Sequence, residues 1–178
     1  IDRGISMQHV ALSIFDKELC LPFFDRLTEL FHEHHHSEEQ DPDEYESLLY
    51  RVSRPYTPEM LDMIDGWMGL EDRAWRAETQ REVLLSLYAI RYPDTLLIES
   101  LTDKARSDIR RLSAYLHFTH HTYSIWDDDT RKGLGKLGID IPEMKQADPF
   151  IYGAYVSSIE LLKDVASFTC LLEHDVPR

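Results

Sequence analysis

The sequence predicts an all-α fold: a single-domain bundle of about seven helices with a central C-terminal helix. Three observations carry this expectation. Apolar residues recur at three- and four-residue spacing through most of the chain, as one face of a helix requires. Prolines open segment after segment, often behind an acid or a hydroxyl. Proline suits a first helical position, where its missing N–H would have no partner anyway. No convincing alternating strand pattern and no internal repeat is present.

The elements follow in order. Residues 7–19 place Val10, Ala11, Ile14 and Phe15 on one side. Pro22 opens a second helix with Phe23, Leu27, Leu30 and Phe31 in helical register. Ser37 to Asp41 is a charged loop. Asp41-Pro42-Asp43-Glu44 is a start signal, with Asp41 as N-cap and Glu44 at the capping-box position, followed by Tyr45, Leu48, Leu49 and Val52. Thr57-Pro58-Glu59 starts a helix carrying Leu61, Ile64, Trp67 and Met68, weakened at its end by Gly66 and Gly69. A longer helix is expected from about Glu71 to Tyr92, stopped by Pro93. Asp94 caps another to about Trp126, with an interruption near Thr102. Gly133, Gly135 and Gly138 predict a loop with at most a short helix, and 139–142 an extended stretch. Asp148-Pro149 opens the last helix, to about Leu172. Its apolar residues, from Phe150 and Ile151 to Phe168 and Leu172, cover about half the circumference, which predicts more than one packing neighbour.

Ile1 to Ser6 reads as a vector-derived or disordered segment, and 7–178 as one helical domain. With 43% apolar and 11% aromatic residues the chain has material for a core, which argues against disorder. No apolar run approaches the roughly 18–20 residues of a membrane span, and no secretory signal is evident. Cys20 and Cys170 sit in apolar helical stretches and read as two buried thiols of a reducing, cytoplasmic compartment rather than a disulfide.

The charge balance is the strongest functional signal. Thirty-three acids against nineteen Lys and Arg give a formal net charge of -14. Such a surface repels nucleic acid and anionic membrane and attracts basic proteins. Residues 37–80 hold most of the excess, including Glu38, Glu39, Asp41, Asp43, Glu44, Glu46, Glu59, Asp62, Asp65, Glu71, Asp72 and Glu78 against Arg51, Arg54, Arg73 and Arg76. A solvated helical face accounts for this region; so does a docking surface for a basic partner. On the second reading Asp62, Asp65, Glu71 and Asp72, on outward faces, steer the partner, and Trp67 and Trp75 anchor it if exposed. A basic strip, Lys104, Arg106, Arg110 and Arg111, is expected to pair with the acids or with solvent.

Histidine clusters raise a metal alternative. His32/His36 and His117/His121 each put two imidazoles on one helix face, and Glu29-x-x-His32 and Glu33-x-x-His36 copy an element of di-iron bundles. A helical wheel, however, turns these pairs away from the apolar stripes. The inward-leaning candidates are His34 and His120, which with neighbouring carboxylates would hold Zn or Fe in a metal-dependent helical-bundle enzyme. Asp127-Asp128-Asp129 reads as the end of one helix and the cap of the next. Gly133 to Gly138 matches G-x-G-x-x-G in letters but lacks the strand before and the helix after that phosphate binding needs. His174-Asp175 lacks companion ligands in register, and no nucleophile signature is present.

The sequence reading is therefore a non-enzymatic, acidic helical protein-binding domain, an inhibitor or immunity-type protein that neutralises a basic protein, with no cofactor. The metal enzyme and a scaffold or oligomerisation module are the alternatives, and a homo-oligomer is compatible with all three.

Overall fold

The computed structural model describes residues 26, 29, 42–52, 56–89, 108–120, 123–145 and 147–169, except the side chains of Pro42 and of 165–169. All regular structure among the described residues is α-helical: α1 Pro42–Arg51, α2 Pro58–Trp67, α3 Ala77–Ala89, α4 Ile109–Thr119, α5 Asp128–Lys136 and α6 Pro149–Thr169. The helices expected over 7–19 and from Pro22, and the segment 1–6, lie outside the described residues. Among the described residues, no helix is long and apolar enough to cross a membrane.

The chain divides into two units. The larger gathers residues 39–127 and 143–156; the smaller includes 128–142 and 157 onward. In the larger unit α1 packs on α2, and α4 packs on both α2 and α3. Its middle is α4, in which every residue from Arg111 to Leu116, and Phe118 as well, is buried. Leu61, Ile64, Val83 and Leu87 supply the core from α2 and α3. Two of the buried residues of α4 are polar. Arg111 is inside because it is ion-paired, and Ser113 because its hydroxyl donates to the Arg110 carbonyl and accepts the Trp126 N–H.

Helix starts follow the expected signals. Pro42, Pro58 and Pro149 are the first residues of α1, α2 and α6. The Asp148 carboxylate caps α6 by accepting from the N–H groups of Phe150 and Ile151, at 2.9 and 3.1 Å. Asp108 caps α4 through the Arg111 N–H at 3.2 Å.

Two helix ends share one geometry. After α2, Gly69 takes φ 63°, its N–H reaches the Gly66 carbonyl, and Leu70 N–H reaches the Asp65 carbonyl. After α5, Gly138 takes φ 86° and the same pair of bonds runs to Gly135 and Leu134. This is the Schellman stop, whose left-handed residue favours glycine. Gly133 and Gly135, which mark the expected loop with at most a short helix, lie within α5, a helix of 9 residues. That helix survives them because Asp128 pairs with Arg131 and Lys132, both at 2.7 Å, and because Leu134 is buried. The Arg131 guanidinium, then the Lys132 ammonium, hold the Asp128 carboxyl below the usual range.

Two further boundaries differ from expectation. The helix expected from Glu71 begins at Ala77, since Arg73 turns inward and the Glu71 carbonyl accepts from the Arg111 guanidinium. The helix expected to run to Trp126 ends at Thr119. Residues 123–127 are non-helical, and side chains replace the missing helix bonds: the Tyr152 hydroxyl donates to the Ser124 carbonyl, and the Tyr155 hydroxyl donates to Ile125 and accepts from Asp127.

Ile64→Ala, at a site with 0% exposure, is expected to cost about 2–5 kcal/mol. Tyr50→Ala, at 89% exposure, is expected to stay within about 0.5 kcal/mol. Urea-unfolding midpoints of the two variants check this.

Candidate functional site

The acidic span of the sequence becomes α1, α2 and the segment that follows. Its carboxylates divide by helical phase. Glu59 and Asp62 lie on the exposed side of α2. Asp65, three residues beyond Asp62, is 6% exposed. Its expected outward position is therefore corrected: it shares the buried side of α2 with Leu61 and Ile64.

What makes this burial tolerable is visible in its partners. Asp65 Oδ2 accepts from Arg73 Nη1 at 2.7 Å, and Oδ1 accepts from Arg111 Nε at 3.1 Å and from the Tyr115 hydroxyl at 2.7 Å. A buried carboxylate is costly unless it is paired and hydrogen-bonded, and both oxygens here are. Arg73 also reaches Asp62 Oδ1 at 2.6 Å, so one guanidinium spans a buried and a 65% exposed carboxylate. Burial works against the charge on Arg73. Its bonds to Asp65, Tyr115 and Asp62 outweigh that and hold it above its ordinary value. Burial, followed by the adjoining Asp65 carboxylate, pushes the Tyr115 hydroxyl well above the usual phenol range. Trp75 closes the cluster, its ring edge-on to Tyr115 at 6.2 Å and under the Arg73 guanidinium at 6.0 Å.

Of the candidates read from the sequence, Asp62, Asp65 and Trp75 thus meet in one cluster around Arg73, Arg111 and Tyr115, which Glu71 joins only through its backbone carbonyl. Glu71 and Asp72 are exposed. From the basic strip, Arg111 pairs with the acidic region as expected and Arg110 is exposed; Lys104 and Arg106 lie outside the described residues. Neither tryptophan is fully exposed or fully buried. Trp67 sits apart from the cluster, packed on Tyr45 at 5.7 Å and Phe118 at 5.2 Å. Among the described residues its buried indole N–H has no hydrogen-bond partner.

Trp67 also lines a groove of about 500 Å³ between α1 and α2. Asp43, Glu44, Ser47, Leu48 and Arg51 form one wall, and Asp62, Met63, Gly66 and Trp67 the other. Sequence reasoning missed this groove, yet its signal was present: both walls repeat at i, i+1, i+4, i+5, the spacing of one helix face. Small residues, Ser47 and Gly66, occupy the middle of each wall.

The two described histidines, His117 and His120, are both engaged in hydrogen bonds, and the pair His32/His36 lies outside the described residues. His117, expected to point nearly away from the apolar stripe, is half-buried. Its Nδ1 donates to the Tyr123 carbonyl and its Nε2 accepts from the Tyr45 hydroxyl, each at 2.7 Å, since a carbonyl can only accept. Burial raises the Tyr45 hydroxyl above its ordinary pKa. The wheel erred because α1 covers the side it took as outward. His120, a candidate Zn or Fe ligand, donates from Nε2 to the Leu87 carbonyl at 3.1 Å, which occupies that nitrogen. His34 and His121 lie outside the described residues. Among the described residues, no three His, Cys, Asp or Glu side chains gather in a metal-ligating group.

Comparison with known protein families, with curated proteins and with solved structures returns no match.

Asp65→Asn is expected to destabilise the protein by about 3–5 kcal/mol, because two buried guanidiniums lose the carboxylate they share and keep only partners at the more exposed Asp62 and Asp108. Asp62→Asn, at the exposed end of the same cluster, is expected to cost less than about 1 kcal/mol. Chemical denaturation separates the two.

A tyrosine titration tests the hydroxyls. Tyr115 and Tyr152 both have raised pKa values, the second through burial and then its neighbours Tyr123 and Tyr155. A raised value means that the folded state favours the neutral phenol. Its contribution is complete below the unfolded value of about 10 and is lost as pH rises toward the folded ones. Absorbance should show ordinary tyrosines ionising near pH 10 and a late class ionising only with unfolding, reduced by Tyr115→Phe.

Proposed function

We propose that this chain acts as a helical protein-binding domain over 7–178, whose acidic surface receives a basic protein. An inhibitor or immunity-type protein that neutralises such a partner in the cytoplasm fits this reading. The observation that carries it is the separation of charge by the fold. Among the described residues between 43 and 78, Asp43, Glu44, Glu46, Glu59, Asp62, Glu71, Asp72 and Glu78 are exposed, whereas the exposed cations are Arg51 and Arg76. Arg73, which would dilute this face, has a side chain only 7% exposed. Neighbouring carboxylates repel by a few tenths of a kcal/mol per pair, so a partner that offsets the repulsion gives the arrangement a purpose. The same potential disfavours nucleic acid and anionic membrane as partners.

The expected architecture of about seven helices around the C-terminal one belongs to this proposal. It is supported by the 21 residues of α6 and by the burial of Tyr152, Tyr155 and Val156 on it. A second reading, an oligomerisation or scaffold module, draws on Leu85 and Tyr88 of α3, which are 59% and 50% exposed. Sedimentation of a Leu85→Glu variant against the parent tests that reading.

The charge proposal is tested by reversing Glu59, Glu71, Asp72 and Glu78 to Lys, leaving Asp62 and Asp65 intact because both hold Arg73. Partners captured at low salt should be basic and released near 1 M salt, where the Debye length is about 3 Å rather than about 10 Å at 0.1 M. At low salt the reversed protein should associate about tenfold or more slowly, with an unchanged unfolding midpoint. Non-basic partners, or a rate indifferent to salt and to the reversals, would overturn the proposal.

A further inference from the structure

We infer that the groove between α1 and α2 seats a short arginine-bearing segment of the basic partner. The inference rests on the acidic-surface reading and gives that surface a specific receptor. The groove combines three features. Its rim carries Asp43, Glu44 and Asp62 against Arg51 and the Arg73 guanidinium bonded to Asp62, which leaves an excess of one carboxylate, so its charge still complements a cation. Leu48, Met63 and Trp67 line it with apolar and aromatic surface. Its volume of about 500 Å³ is that of an open groove rather than an enclosed cavity, a shape that suits an extended segment.

Arginine fits this combination better than other cations. Its methylene stem covers apolar surface while the head stays among polar groups. Its planar guanidinium both stacks on an indole and pairs with carboxylates in a fixed fork, whereas a lysine ammonium is a compact, strongly hydrated charge. The space itself comes from Ser47 and Gly66. A Cβ added at Gly66 would meet nothing within 4 Å. The position therefore accepts a side chain that fills the groove, with no change of charge and a gain in helix propensity.

The probe is a fluorescein-labelled peptide of alternating Arg and Leu, followed by anisotropy at low salt with the full chain. Matched peptides carry lysine, or citrulline, the neutral isostere of arginine. The arginine peptide should bind at least tenfold more tightly than the citrulline one and more tightly than the lysine one. Gly66→Phe should weaken it at least tenfold, and Ser47→Phe, from the opposite wall, should do the same should Gly66→Phe fail to fold. Glu44→Gln should weaken it less. Two filled-groove variants that bind like the parent would overturn the groove while leaving the acidic surface standing, provided the charge reversals still slow association of the captured partner. Equal binding of arginine and citrulline peptides, or no binding of the arginine peptide, would also overturn it. So would a parent dimer that Gly66→Phe converts to monomer, which would make a second copy the occupant. Loss of the reversal effect with the groove effect intact would instead remove the broader surface reading.

Discussion

A single carboxylate organises the larger unit. Asp65 leaves solvent on the buried side of α2, and every group that follows it inward is there to satisfy it: Arg73 from the segment after the helix, Arg111 and Tyr115 from α4. Removing a carboxylate from water costs several kcal/mol, so the charge is tolerated only while all three donors are in place. That condition fixes the chain locally in several ways. It draws the segment after α2 away from helix, sets α4 against α2 in one register, and turns Arg73 away from the surface. The Asp65 backbone joins in as well, since its carbonyl accepts the Leu70 N–H in the turn at Gly69.

The acidic exterior is a corollary of that interior. Two guanidiniums turn inward to one buried acid, which leaves carboxylates in excess over Arg51 and Arg76 among the described exposed residues from 43 to 78. Asp62 stands at the border, bonded to Arg73 on one side and largely exposed on the other. Three positions along α2 thus separate a buried carboxylate that holds the fold from a largely exposed one at the rim of a groove.

The all-α class was legible because it depends on local signals. Proline at a first helical turn, an Asp cap and three-to-four spacing each act within a few residues, and Pro42, Pro58, Asp148 and Pro149 all do what their chemistry dictates. The errors arose where a distant residue decides. Asp65 and Arg111 lie 46 residues apart in sequence, and nothing in either neighbourhood announces the pair. A wheel classes Arg111, Ser113 and His117 as outward by polarity, but α4 has neighbours on several sides and so lacks one outward face. The groove failed to register for a related reason. It is made by what Ser47 and Gly66 lack, and an absence of side chain reads in sequence as weak helix rather than as space.

The stretch from Tyr123 to Asp127 is fastened from farther along the chain. The carbonyls of Ser124 and Ile125 find their donors in the hydroxyls of Tyr152 and Tyr155, 28 and 30 residues later. On a ribosome, that stretch emerges well before the two tyrosines that complete its hydrogen bonding. Until they arrive, water alone serves those carbonyls, and the nascent α4 lacks a settled exit. The larger unit therefore locks late, when the start of α6 has been synthesised, although most of its helices are made long before.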